Sequence, residues 1–168
     1  MEPRIFQLNC STGGVPKLPV RETALTSLGL VGDTQAHSRF HGGPERAVCL
    51  YALELILRLQ AEGHPIYPGS IGENITVVNL DWARLQPGSR LALGDKAVIE
   101  ISSYTVPCKN IAASFVNGEF KRIAQTTHPG EARLYARVLQ TGFLRVGQPV
   151  LLLESTSKNE GGGLIPRR

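Results

Sequence analysis

Glycine and proline divide this chain into short segments, and that punctuation constrains its fold more than any other feature. Eighteen glycines and eleven prolines are spread through 168 residues, and the segments between them read mostly as short strands bounded by turns. Strands are expected at residues 4–9, 47–51, 75–78, 132–140 and 148–154, with an extended edge segment at 16–24 where Pro16 and Pro19 suit an unpaired border. The clearest strand pair is a hairpin, 89–93 and 97–103, turned by Gly94-Asp95. One helix is expected at 52–62, with Leu53, Ile56 and Leu57 on its apolar stripe, widened by Leu55 and Leu59, and Gly63 as its stop. A short helix is expected at 111–115, and 122–130 reads as a loop. Helices do not alternate with strands, so a doubly wound sheet is disfavoured. The pattern points to a mainly β fold with short helices, a closed or nearly closed β-barrel.

Residues 1–154 are expected to form one domain, and 155–168, with three consecutive glycines, read as a disordered tail. The net charge of +4 comes from scattered Lys and Arg, which favours small anions mildly and gives no bulk nucleic-acid surface. No apolar run approaches the roughly 20 residues needed to span a bilayer, and the N-terminus lacks the pattern of a secretory signal. Cys10, Cys49 and Cys108 are an odd, widely spaced set, which fits a reducing cytoplasm better than a disulfide framework.

Cys108 is the candidate reactive residue. It lies in Val106-Pro107-Cys108-Lys109, between a strand and a short helix, and the adjacent lysine is the kind of cation that favours a thiolate. Cys10 and Cys49 sit in apolar strand contexts and read as packing residues. Three polar segments carry glycines: Gly32-Asp33, Phe40-His41-Gly42-Gly43 and Gly72-Glu73-Asn74. Each can turn backbone N–H groups toward an anion or simply close a tight turn. His37 and His41 have half of a zinc spacing, but the glycines that follow argue against the helix such a pair needs. His64 and His128 read as solvent-facing turn residues. The even spacing of Arg133 and Arg137 places both on one face of a strand, as an anion clamp or as a solvated edge.

Taken in order, Gly-Asp, Arg-Phe-His-Gly-Gly-Pro, Gly-Glu-Asn, Pro-Cys-Lys and Leu-Tyr-Ala-Arg-Val-Leu resemble the MOSC family, the C-terminal domain of molybdenum-cofactor sulfurases, and especially its small bacterial YiiM-like members. The resemblance covers residues 4–153. It implies a β-barrel-like fold binding the pyranopterin molybdenum cofactor, with Cys108 as metal ligand or sulfur carrier. Asp33, His41, Gly42, Gly43, Gly72, Glu73 and Asn74 would line the pocket, and Lys109, Arg133 and Arg137 would neutralise the cofactor's phosphate or favour the thiolate. The implied activity is reduction of small N-hydroxylated substrates, such as N-hydroxylated bases and amidoximes, with electrons from a separate donor protein. The alternative is a non-catalytic carrier of persulfide sulfur or of the cofactor. No pyridoxal-phosphate domain accompanies the motifs. One departure stands out: relatives commonly carry tryptophan where this chain has Glu131, and an acid beside an anionic cofactor must point away or pair with arginine.

Overall fold

A computed structural model describes residues 1–34 and 42–154. Eleven strands are present among them: β1 (Arg4–Cys10), β2 (Leu18–Val20), β3 (Glu22–Thr26), β4 (Gly29–Leu30), β5 (Val48–Ala52), β6 (Ile75–Val78), β7 (Arg90–Leu93), β8 (Ala97–Tyr104), β9 (Leu134–Gln140), β10 (Gly142–Arg145) and β11 (Val150–Leu153). Eight of them form one sheet in the order β11-β7-β8-β9-β5-β6-β1-β2, and β10-β3-β4 form a second. Among the described residues all ladder pairings are antiparallel except β5 with β6, which the one α-helix there, α1 (Leu53–Ala61), connects.

The large sheet is not closed into a barrel, since β2 and β11 are its edges. Its curl nevertheless brings the ends together. Arg4 of β1 and Pro149, just before β11, form an isolated antiparallel bridge. Ile5 N donates to Gln148 O at 2.9 Å, Gly147 N to Ile5 O at 2.8 Å and Val150 N to Pro3 O at 3.0 Å. The mainly β, barrel-like expectation therefore holds, with a short seam in place of a continuous closing ladder.

The interior is aliphatic: Ile5, Leu8, Leu50, Ile56, Ile75, Leu91, Leu93 and Ile99 are fully buried. Fully burying such a side chain contributes about 1.5–3 kcal/mol. The helix corrects one expectation. Its buried stripe is Leu55, Ile56 and Leu59, while Leu57 is 52% exposed. Leu55 and Ile56 lie four and three positions before Leu59, and those are the spacings at which side chains share a helix face. The 89–103 hairpin is present as β7 and β8, and 109–114 and 120–123 form short 3-10 helices, the second running into the start of the segment expected to be loop.

His64 is a second correction. It is buried, edge-on to Phe115 with ring centroids 5.3 Å apart, and its Nδ1 accepts the Val116 N–H at 3.1 Å. Its turn is folded under the 109–118 segment rather than outward. Among the described residues no helix is long and apolar enough to cross a membrane. The expected tail at 155–168 lies outside the described residues.

Candidate functional site

Cys108 lies four residues past the end of β8 and immediately before the 3-10 helix Lys109–Ser114. It is half-buried, whereas Cys10 and Cys49 are buried. Burial pushes both of those thiols upward in pKa, Cys49 most plainly because its sulfur is wholly enclosed. They are the inert residues expected from their strand contexts, and Cys108 is the accessible thiol. Lys109 is exposed beside it.

Two strand ladders gather polar groups near this thiol. Tyr135 of β9 is paired with Cys49 of β5 on one side and Ser103 of β8 on the other. Past β8, Thr105 N donates to Arg133 O at 2.9 Å, and Thr105 Oγ1 lies 3.8 Å from Cys49 Sγ. The Arg46 guanidinium sits over the Tyr135 ring, 5.3 Å from its centroid, within cation–π range. Burial, with the nearby Cys49 and Cys108 thiols, pushes the Tyr135 hydroxyl up to about 12, so it stays protonated at neutral pH.

Arg133 is the most unusual group in this region. It is 6% exposed, and its Nη1 donates to Ile71 O at 2.6 Å. Its Nε is buried with no hydrogen-bond partner, and no carboxylate among the described residues lies within ion-pair distance. Burying a charge without a counter-charge costs several kcal/mol, and proteins rarely tolerate it without a ligand that supplies the missing partner.

The Gly-Glu-Asn segment directly follows Ile71, whose carbonyl that guanidinium holds. Glu73 is fully buried; its Oε1 accepts Gly69 N–H at 2.7 Å and Thr76 Oγ1 at 3.1 Å, and its Oε2 has no partner. Burial raises its pKa, opposed first by hydrogen bonds from the Gly69 and Glu73 N–H groups and Thr76 and last by the charge of Arg133. Asn74 is tied into the sheet: its Oδ1 accepts Cys49 N–H at 3.0 Å and its Nδ2 donates to Asp33 Oδ2 at 2.9 Å. Asp33 Oδ1 in turn holds Ser11 N–H at 2.9 Å and Lys17 Nζ at 2.5 Å in a buried ion pair. Gly69 closes this layer, since at φ +89° a side chain there would strike Lys17 O and lie 3.2 Å from Asn9 Oδ1.

Asp33, Glu73, Asn74 and Arg133 are thus joined in one buried polar layer that reaches Cys49 and Thr105, three residues from Cys108. The oxygens of Asp33 and the amide of Asn74 are occupied by protein partners, so these two position the loop entering residue 34. Gly72 approaches Val15, where a Cβ would come within 3.1 Å of Cγ1. Gly43, at φ +87°, starts the 3-10 turn Pro44–Arg46 that brings Arg46 over Tyr135, and Gly42 precedes it. His37 and His41 lie outside the described residues.

Arg137 stands apart from Arg133. Its side chain is 41% exposed and forms ion pairs with Glu45 at 2.8 Å and with Glu100. Arg133 immediately precedes β9, and Leu134, Tyr135 and Ala136 are all buried, so the start of the strand is covered while Arg137, further along it, is partly exposed. Glu131 pairs with Arg58 at 3.0 Å and Arg122 at 2.6 Å, and its carbonyl accepts the Tyr51 hydroxyl at 2.8 Å. Its charge is matched. Lys17, Thr105, Arg46 and Tyr135 were not legible as site residues. The alternation of Arg133, Tyr135 and Arg137 was the one available signal, and it pointed at the arginines. Among the described residues no three His, Cys, Asp or Glu side chains cluster as a metal site.

Fold and motifs agree with the comparisons. The MOSC domain model matches residues 37–151, and the chain belongs to that family. It is 31% identical over 147 residues to the uncharacterized protein YflK of Bacillus subtilis, covering 86% of this chain and 65% of YflK. A protein of Gibberella moniliformis named reductase is 33% identical over 136 residues, covering 77% of this chain and 23% of that protein. The crystal structure of YiiM from Geobacillus stearothermophilus superposes with a TM-score of 0.72 at 26% identity, over 90% of this chain and 75% of that one. The chain is therefore YiiM-like, and it spans less than two thirds of the length of the two sequence relatives.

Proposed function

We propose that this protein binds the pyranopterin molybdenum cofactor through Cys108 and Arg133 and reduces small N-hydroxylated compounds. The observation that carries the reading is the Arg133 guanidinium, nine-tenths buried, with an orphaned Nε, in the layer that reaches the Cys108 segment. That donor set fits the group: a guanidinium is matched in shape and charge to a phosphate, and a soft thiolate suits a molybdenum centre whose other protein-independent ligands are dithiolene sulfurs. A protein that offers one thiolate rather than a cluster of ligands is suited to a metal that arrives inside an organic chelate.

When bound, the cofactor supplies two-electron chemistry at a metal able to take oxygen from N–OH. The overall reaction consumes two electrons and two protons, breaks the N–O bond, leaves N–H and releases water. The electrons come from a separate redox protein. This chain's part is to hold the cofactor's anionic end on Arg133, to present Cys108 to the metal, and to keep the neutral Tyr135 hydroxyl and the Arg46 guanidinium at the edge of the site. The accessible free thiol suits a reducing compartment such as the cytoplasm. Residues 1–154 act in this reading as one domain.

The test is metal analysis of protein from a cofactor-competent host, followed by reduction of an N-hydroxylated purine and an amidoxime with an artificial electron donor. Turnover that disappears in Cys108→Ala supports the proposal. Molybdenum retained without turnover on either compound overturns the catalytic part and favours a carrier.

A further inference from the structure

Arg133 and Glu73 are two orphans of opposite charge held by one five-residue turn. Arg133 Nη1 is anchored on Ile71 O and Glu73 Oε1 on Gly69 N–H, yet the two side chains form no ion pair with each other, and Arg133 Nε and Glu73 Oε2 are left without partners. The groups facing Glu73 are few. Arg133 is the described cation whose charge acts on it; Cys49 and Tyr51 of β5 respond to the charges of both. The Lys17–Asp33 pair, beyond Asn74, is internally neutralised at 2.5 Å. Besides the hydrogen bonds from Gly69 and Thr76, Arg133 is the described cation that favours an ionised Glu73.

From this arrangement we propose that the Arg133 site takes up a proton on Glu73 each time it takes up an anion. With the site empty, Glu73 is the described carboxylate whose charge is coupled to the guanidinium. An anion of phosphate type on Arg133 supplies that counter-charge itself and adds a second negative charge close to a fully buried carboxylate. Two such charges in a poorly solvated site do not both persist, and the carboxylate, which can accept a proton from solvent, becomes the neutral acid. Burial already biases Glu73 in this direction. The proposal rests on the reading of Arg133 as an anion site, and it adds that the site's affinity is tied to pH through one named residue.

Inorganic sulfate is the probe, because it does not titrate over the working range, and full-length cofactor-free protein is the material. Sulfate binding followed calorimetrically in two buffers of different ionisation enthalpy gives the number of protons taken up. The expected uptake approaches one proton per sulfate, and affinity tightens as pH falls, by up to about tenfold per unit, at pH above the ordinary carboxylate range. In Glu73→Gln, sulfate still binds and the pH dependence is lost. Sulfate binding to wild-type protein with no proton uptake overturns the coupling while leaving the anion site standing; this arm needs no variant. Sulfate that fails to bind, or binds Arg133→Met equally well, overturns the anion site and the coupling with it.

Discussion

Replacing Arg133 by methionine is expected to stabilise the fold while abolishing anion binding. The arginine contributes one hydrogen bond to its surroundings, Nη1 to Ile71 O at 2.6 Å. A hydrogen bond to a charged group is worth about 1.5–3 kcal/mol. Against this stands the desolvation of a guanidinium only 6% exposed, whose Nε is unsatisfied and which has no carboxylate within ion-pair reach among the described residues; that effective penalty is several kcal/mol. Methionine fills similar space without a charge, and Glu73, relieved of its cation, becomes neutral. The balance is a gain of about 1–2 kcal/mol in the cofactor-free protein, which raises Tm by roughly 2–8 °C for a domain of this size. Thermal unfolding of both proteins with and without sulfate measures it. Wild type should gain stability with sulfate through mass action and Arg133→Met should not. A loss of 2 kcal/mol or more in Arg133→Met, with an unchanged response to sulfate, would refute the reasoning and make the guanidinium a structural strut.

Two further outcomes follow from the charged network. Asp33→Ala leaves Lys17 buried and unpaired and removes the acceptor of Asn74 Nδ2; it should cost about 3–5 kcal/mol in denaturant unfolding, whereas a residue serving only the cofactor would leave the cofactor-free protein unaffected. Glu100 is held below the usual carboxylate range by hydrogen bonds from Arg90 and Arg137. Its contribution is therefore present above the ordinary carboxylate pKa and lost as pH falls through the lowered one. Glu100→Gln should be less stable than wild type at neutral pH and equal to it in acid, and a gap that stays constant with pH would contradict the assignment.

Turn chemistry and alternation made the strands legible, because Gly94-Asp95 and the β7 and β8 segments carry their own local instructions. The helix's existence was also local, but its buried face was not: whether Leu57 or Leu59 faces inward depends on the sheet beneath, and the sequence supplies apolar residues all around. The motifs located the buried polar layer because Gly72, Glu73 and Asn74 are adjacent in one turn. What they did not reveal was division of labour. Asp33 and Asn74 spend their polar atoms on Lys17, Ser11 and Cys49, and Arg137 spends its charge on Glu45 and Glu100. These partners are 16 to 92 positions away in sequence. Arg133 was distinguished from Arg137 only when burial separated them.

Molybdenum content tests the central claim most directly. Protein purified from a host that makes the pyranopterin cofactor should carry about one molybdenum per chain, falling sharply in both Cys108→Ala and Arg133→Met while the fold persists. Wild-type protein without molybdenum, or equal loading in all three proteins, would contradict the assignment of Cys108 and Arg133 as the two ends of one cofactor site.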